Sequence, residues 1–200
     1  MRTQLQDQID QLDRMARRLD DRDLEAVVSL CRNVLEAGGR LVFAGLGKTV
    51  PVCEKVVGTL TSVGLPAAFL HANTAVHGDL GLVGARDLVV ILSKSGETEE
   101  SLWLARELKA RETGSLALVC REDSSLAELA DRTLVLPLER EEGLWDLLPV
   151  NSSLGYLWFL QGLVLQLVED LGIRKDVFLA NHPGGMIGRQ GRMGPGSSGS

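Results

Sequence analysis

A short polar loop holds the residues whose types and spacing are best suited to chemistry. Ser93, Ser95 and Thr98 place three hydroxyl groups within six residues, and Lys94 stands among them. The run before them, residues 89–92, is apolar throughout, as in a buried strand. Acidic residues follow in the first turn of a predicted helix, where free backbone N–H groups converge. The loop therefore predicts an anion site that suits a phosphate monoester.

A simpler explanation competes with this one. Ser95 or Thr98 at this place would most commonly cap the helix. One hydroxyl is enough for a cap, whereas this loop has three together with a lysine. The composition of the loop therefore favours phosphate binding over capping alone.

Composition and charge narrow the possible functions. The 200 residues are 44% hydrophobic and carry a net charge of -6, which suits one α/β domain with a sizeable core. The acidic balance, without any Lys/Arg block, argues against a nucleic-acid partner. The chain shows no signal-peptide pattern, and its longest apolar stretch, residues 154–168, is too short to span a membrane. Three widely spaced cysteines (Cys31, Cys53, Cys120) indicate reduced thiols, so we expect a cytoplasmic protein with no membrane partner.

Nucleotide and metal motifs in the chain are incomplete. A dinucleotide motif that starts at Gly45 has Val50 at its third glycine position. A P-loop ending nearby has Val42 where the leading glycine belongs. His71 and His77 lack the acidic residues or the Cys/His spacing of a zinc site. We therefore predict no nucleotide cofactor and no metal.

The elements around the loop repeat a strand, a turn and a helix. Five strands are predicted at residues 40–45, 66–71, 87–92, 115–120 and 133–136. Strands that alternate with helices predict a three-layer α/β/α sandwich with a five-stranded parallel sheet. Ligands of such sheets bind beyond the carboxyl ends of the strands, where Lys48, His77 and residues 93–95 would gather.

Other segments surround this core. Two amphipathic helices are predicted before the first strand, and the narrow apolar stripe of the first, residues 3–19, suggests packing against a partner subunit. We predict a polar loop at residues 72–81, and a long apolar helix over 154–171 that residues 151–153 cap. A last helical element over 176–181 stops at 182–185, so residues 1–190 form one domain, and 191–200 form a flexible tail or cloning remnant.

Four motifs carry a resemblance to a known family. They are Gly45-Leu46-Gly47-Lys48, His77-Gly78-Asp79-Leu80-Gly81, Ser93-Lys94-Ser95-Gly96-Glu97-Thr98 and His182-Pro183-Gly184-Gly185. They occur in the order seen in SIS (sugar isomerase) domains, and the likeness spans about residues 20–189. More narrowly, the chain resembles the arabinose-5-phosphate isomerases, which interconvert ribulose 5-phosphate and arabinose 5-phosphate. The motif at residues 93–98, which we call the serine loop, is shared by SIS domains of several functions. The two histidine motifs are more specific to the isomerase branch.

The resemblance implies a flavodoxin-like SIS fold, a phosphosugar substrate, no cofactor, and a homodimer or homotetramer with sites at subunit boundaries. It implies that the phosphate is held by Ser93, Ser95 and Thr98. Further substrate-binding positions are Gly47, Thr49, His77, Lys94 and Gly96. The reacting end of the sugar is lined by Lys48, Glu100, Glu141 and His182, of which Glu141 is matched only through its distance from Pro149.

The sequence departs from the family pattern at three places. Thr49-Val50 replaces a small Ser-Gly pair, and Val150-Asn151-Ser152 replaces a Thr-Thr-Ser run. Many family members continue into a pair of CBS domains, and this sequence stops. The first two departures leave the substrate open, and the third suggests that CBS-mediated regulation is absent.

The residue types fit an isomerisation through an enediol. Such a reaction needs a base at carbon, a second acid/base group and a cation or donor for the oxyanion. We expect Glu100 or Glu141 to move the C–H proton, His182 to move the oxygen proton, in its own or in a neighbouring subunit's pocket, and Lys48 to polarise the carbonyl. Each residue could also have an ordinary structural role. Glu100 could be a surface acid that interacts favourably with the helix dipole, and His182 could simply end a helix. A non-catalytic sugar-phosphate sensor, or an isomerase of another phosphosugar such as a hexulose 6-phosphate, stays an alternative.

Overall fold

Five parallel strands form the centre of the protein, for which the computed structural model describes residues 1–141 and 145–192, without the side chains of 189–192. The strands are ordered β2-β1-β3-β4-β5 across the sheet. Their bounds are β1 Leu41–Gly45, β2 Ala67–His71, β3 Leu88–Ser93, β4 Gly114–Val119 and β5 Arg132–Val135. All five lie within two residues of the predicted strands, which confirms the alternating pattern.

Helices cover both faces of this sheet. Their bounds are α1 Arg2–Arg18, α2 Asp21–Glu36, α3 Val50–Ser62, α4 Ala72–Ala75, α5 Glu99–Ala110, α6 Ser125–Leu129, α7 Asn151–Asp170, α8 Lys175–Ala180 and α9 Gly185–Arg192. Successive strand residues point to opposite faces, so that Phe43 and Val90 pack with α2, α3 and α7, whereas Ala44 and Ile91 pack with α5 and α6. The three-layer α/β/α sandwich is thereby confirmed.

The strand order creates a crevice at one edge of the sheet. From β1 the chain crosses to β2 on one side, and from β3 it continues through β4 to β5 on the other side. Neighbouring connections therefore leave β1 and β3 in opposite directions. A space opens beyond the carboxyl ends of these two central strands, as in other doubly wound sheets.

Three local predictions are wrong. The segment predicted as a polar loop, residues 72–81, holds α4 and the start of a 3-10 turn over Asp79–Leu82. Helix α7 begins at Asn151, so residues 151–153 belong to its first turn instead of capping it; the Asn151 amide donates to the Arg140 carbonyl (3.0 Å). After the predicted stop, a further helix, α9, begins at Gly185.

The remaining predictions concern single residues and the ends of the chain. All three cysteines are free thiols, and burial raises the pKa of Cys31 and of Cys53 to about 12. Across the described residues, every helix is too short or too polar to cross a membrane. Residues 193–200, most of the predicted tail, lie outside the described residues.

Candidate active site

A cavity of about 330 Å³ occupies the crevice beyond β1 and β3. Seven of the predicted site residues line it: Gly47, Lys48, Thr49, Ser93, Lys94, Ser95 and Thr98. They come from the two turns that follow these strands, which meet because the strands are neighbours in the sheet. The crevice therefore brings together the glycine–lysine turn and the serine loop, as the sequence predicts.

Ser93, Ser95 and Thr98 of the serine loop line the cavity. Ser93 Oγ accepts the Gly96 N–H and Ser95 Oγ accepts the Glu97 N–H, each at 3.2 Å. Because Ser95 Oγ acts as an acceptor within the loop, its own O–H proton is left to donate. Thr98 precedes α5 but makes no capping hydrogen bond, and its hydroxyl lies 3.4 Å from Ser93 Oγ. The Thr98 side chain therefore does not cap α5, and all three hydroxyl-bearing residues line the cavity.

Hydrogen bonds from the start of α6 hold the serine loop in place. The Glu97 carboxylate accepts both the N–H and the hydroxyl of Ser125 at 2.8 Å, and these bonds lower the pKa of Glu97. The Leu126 N–H donates to the Gly96 carbonyl at 3.0 Å. Gly96 has φ +69°, and a Cβ there would collide with the Ser124 side chain. The loop conformation therefore requires glycine at this position.

The turn after β1 presents an exposed lysine. Gly47 has φ +60°, which allows the tight turn, and Lys48 follows with its side chain exposed. Thr49 Oγ1 donates to the Leu46 carbonyl and accepts the Leu46 N–H, both at 3.0 Å. The Thr49 proton is thus used within the turn, so this side chain contributes shape to the cavity while Lys48 contributes charge.

Glu141 lies beside the cavity without lining it. Its side chain is 0% exposed, and Oε1 lies 3.1 Å from Nζ of Lys94, which is 43% exposed. Its Oε2 accepts the Ser152 N–H at 3.1 Å, in the first turn of α7. The structure therefore connects this predicted catalytic carboxylate to the cavity through the lysine of the serine loop.

Two further predicted residues lie next to a separate groove. Glu100 lines it together with Val76 and Trp103, and the cavity lining does not include Glu100. His77 is exposed and follows Val76, after the end of α4. Within one chain, the structure thus places Glu100 and His77 outside the cavity.

His182 lies at the far end of α3. Its Nδ1 is 2.7 Å from the Phe178 carbonyl oxygen, and its ring packs on that of Phe178 at 4.1 Å between centroids. The neighbouring Asn181 amide donates to the Ser62 carbonyl at the end of α3 (3.3 Å), whereas the start of α3 adjoins the cavity. The 13 residues of α3 extend for about 20 Å, which separates His182 from the cavity of its own chain.

Sequence reasoning missed several residues that line the cavity: Ser101, Pro149, Ser152, Ser153 and Tyr156, with Leu46 and Leu92. Ser101 follows Thr98 by three residues and Tyr156 follows Ser152 by four, spacings that place each pair on one helix face. The Tyr156 hydroxyl donates to the Leu118 carbonyl at 3.2 Å. Helical spacing from an already predicted site residue was the available signal for Ser101.

The electrostatics of the cavity favour an anion. Lys48 and Lys94 supply positive charge, and the N-terminal turns of α5 and α7 add the positive ends of two helix dipoles. Burial raises the pKa of Tyr156 well above its usual value and that of Cys120 to about 11, so both are neutral near pH 7. Among the described residues, no group of three or more potential ligands is placed to hold a metal ion. The arrangement can hold a phosphate group and leave adjacent space for the rest of a small ligand.

Comparison with known proteins is consistent with this geometry. A family model described as "SIS domain" matches residues 34–161. A Haemophilus influenzae protein named "Probable arabinose 5-phosphate isomerase" is 36% identical over 176 residues, which cover 88% of this chain and 51% of that protein. Arabinose 5-phosphate isomerase KdsD of Escherichia coli K12 is 32% identical over 160 residues, 80% of this chain and 49% of that protein. The chain spans about half the length of these curated relatives.

Solved structures show the same fold. An Escherichia coli CFT073 protein, c3406, in complex with arabinose 5-phosphate superimposes with a TM-score of 0.80 at 30% identity, over 90% of this chain and 96% of that chain. The Vibrio vulnificus NanR protein complexed with ManNAc-6P shares the fold at 23% identity, with a TM-score of 0.74, over 88% of this chain and 64% of that chain. The family match, the curated relatives and the shared fold confirm the predicted resemblance: the chain belongs to the SIS domain family.

Proposed function

We propose that the protein is an aldose–ketose isomerase of phosphosugars, and that it interconverts D-arabinose 5-phosphate and D-ribulose 5-phosphate. The observation that carries this proposal is one cavity that combines the donor hydroxyls of residues 93–98 with Lys48. The names of the curated relatives and the arabinose 5-phosphate complex of the E. coli protein support the pentose phosphate in particular. Free cysteines support the cytoplasm as its compartment.

The serine loop binds the phosphate in this proposal. Ser93, Ser95 and Thr98 donate their hydroxyl protons, and the N–H groups at the start of α5 add positive potential. Binding the phosphate at one end of an open-chain sugar fixes the position of its other end. Remote binding energy is thereby used to orient the reacting carbons.

The reacting carbons then lie towards Lys48. A carboxylate, Glu141 or Glu100, removes the proton from one of C1 and C2 and returns it to the other, so the enediol forms and collapses without net loss of a proton. Lys48 stabilises the negative charge that develops on the carbonyl oxygen. His182 moves the proton between the two oxygens.

This division of roles requires a second copy of the chain. The proton-transfer candidates Glu100 and His182 lie outside the cavity of their own chain, and Leu5, Ile9 and Leu165 expose 53%, 59% and 66% of their surface on α1 and α7. A subunit contact on α1 and α7 would cover these side chains. We propose a homodimer or homotetramer in which His182 of the partner subunit completes each cavity.

A sugar-phosphate sensor is the second candidate, favoured by the same separation. A single chain holds the phosphate-binding groups together but leaves Glu100 and His182 apart from them. A sensor would need only the former, whereas an isomerase needs both.

The distinguishing experiment follows ribulose 5-phosphate turnover in Glu100→Gln and His182→Ala variants, with phosphosugar binding measured in parallel. For an isomerase we expect turnover to fall by about 10²-fold or more in His182→Ala while binding persists, because an acid/base group is lost. Glu100→Gln should show the same loss if Glu100, and not Glu141, is the base at carbon. Turnover that is absent from the unaltered protein, with binding retained, would establish the sensor. A panel of pentose and hexose phosphates then identifies the substrate.

A further inference from the structure

One charged pair lies between the cavity and the protein interior. Lys94 lines the cavity between Ser93 and Ser95, and its Nζ lies 3.1 Å from Oε1 of Glu141. Lys94 is 43% exposed and the Glu141 side chain 0% exposed. A single ammonium group therefore stands between a buried carboxylate and the space assigned to the substrate phosphate.

The buried carboxylate has little else to balance its charge. Oε2 accepts the Ser152 N–H, but Oε1 receives no hydrogen bond from any described residue beyond its ion pair with Lys94. Asp146 accepts the Glu141 N–H, and the charge of Glu141 helps to raise the pKa of Cys120 and of Tyr156; none of these three groups carries positive charge. Lys94 is therefore the cation that the structure places against this buried carboxylate.

We infer that Lys94 is an exchangeable counter-ion: it pairs with Glu141 in this structure and turns to the phosphate when a phosphosugar binds. This inference rests on the proposed function and deepens it. The Lys94 backbone is fixed, because its carbonyl accepts the Cys120 N–H at 3.1 Å, whereas its four-carbon side chain is free to move Nζ between two anions.

The exchange makes access to the base depend on the substrate. In this structure the Lys94 ammonium group separates the buried Glu141 carboxylate from the cavity. When Lys94 turns to a phosphate group in the serine loop, that separation is removed and Glu141 faces the sugar. It takes the C–H proton of the sugar and returns it to the neighbouring carbon, so its charge is restored before product leaves. A sugar without phosphate meets a Glu141 that Lys94 still neutralises.

The test measures the affinity for inorganic phosphate by calorimetry, with no turnover involved. Lys94→Met is expected to weaken phosphate binding about tenfold, as for loss of a charge-assisted hydrogen bond. Glu141→Gln is expected to tighten it, since the ammonium is no longer shared with a carboxylate. Lys94→Arg keeps the charge and is expected to restore binding, and Lys109→Met, at the exposed end of α5, is the matched control without effect.

The double variant Lys94→Met/Glu141→Gln separates exchange from simple repulsion. If Lys94 carries the coupling, Glu141→Gln changes the affinity only when Lys94 is present. Equal tightening with and without Lys94, or no tightening by Glu141→Gln, would overturn the inference. Should Glu141→Gln not fold, Glu141→Asp replaces it, because the shorter side chain keeps the charge but withdraws it from Nζ.

The same titrations distinguish this inference from the proposed function. Tightening by Glu141→Gln in a protein without isomerase activity would support the counter-ion and overturn the enzyme. Isomerase activity in the unaltered protein, together with a phosphate affinity that Glu141→Gln leaves unchanged, would overturn the counter-ion alone.

Discussion

The serine loop and the proton-transfer residues are organised in opposite ways. The loop at residues 93–98 is held within one chain: Ser93 and Ser95 accept local N–H groups, and α6 donates to the Gly96 carbonyl and to the Glu97 carboxylate. The proton-transfer candidates are dispersed, with Glu141 buried beside the cavity, Glu100 in a neighbouring groove and His182 at the far end of α3. The proposed binding half of the site thus depends on local sequence, whereas the proposed reacting half depends on how distant segments and subunits come together.

The largest expected effect is the recovery of turnover in mixed oligomers, which tests whether the reacting residues come from two subunits. Lys48→Met damages the cavity and His182→Ala removes the histidine, so each variant alone should be nearly inactive. In hybrids of the two, one site receives both intact residues, and random mixing of a dimer should restore about a quarter of the activity. Turnover after co-refolding, compared with each variant refolded alone, is the measurement. No recovery despite verified hybrids would mean that both residues act within one chain.

Gly96→Ala tests whether the loop is pre-formed. The substitution places a Cβ at φ +69° and against Ser124, so we expect a loss of about 1–3 kcal/mol in the free energy of unfolding. Phosphate binding should weaken with it. Gly58→Ala in α3 is the control, because open space surrounds that position and alanine favours a helix. Denaturant unfolding with unchanged stability in Gly96→Ala would contradict the claim that the loop needs glycine.

Ser93→Ala tests the proposed phosphate-binding role of the serine loop separately from proton transfer. Loss of one donor to a charged ligand should weaken phosphate affinity about tenfold, with turnover at saturating substrate less affected. Ser62→Ala is the matched control, since that hydroxyl bonds the Thr59 carbonyl at the opposite end of α3 (2.7 Å). Equal affinities of the two variants would remove Ser93 from the phosphate site.

The smallest expected effect is a change in the stability of the protein at acidic pH, which depends on Glu97. Its pKa in the folded protein lies below the usual 4.5, because the Ser125 N–H and hydroxyl stabilise the carboxylate. Its stabilising contribution is therefore fully present above pH 4.5 and is lost as the pH falls through the folded pKa. Glu97→Gln should reduce stability slightly at neutral pH. It should also make the melting temperature fall less steeply as the pH is lowered through the acidic range. The same dependence of melting temperature on acidic pH in both proteins would contradict the claim that the Glu97 carboxylate stabilises the loop through Ser125.

The sequence predicted what depends on neighbouring residues. The apolar run of β3, the hydroxyls after it and the acids of α5 follow one another in the chain, so the serine loop could be located without a structure. Helix α4 was missed because Ala72–Ala75 forms a single turn, too short for a periodic pattern. Ser152 and Tyr156 were missed because their place depends on where α7 begins, more than 50 residues after the loop. The position of His182 follows from the packing of α8 against the end of α3, which no local pattern encodes.

A crystal soaked with arabinose 5-phosphate tests the central claim most directly. The account predicts the phosphate within hydrogen-bonding distance of Ser93, Ser95 and Thr98, with C1 and C2 towards Lys48 and Glu141. A ligand bound elsewhere, or a phosphate that leaves these three hydroxyls unoccupied, would contradict it.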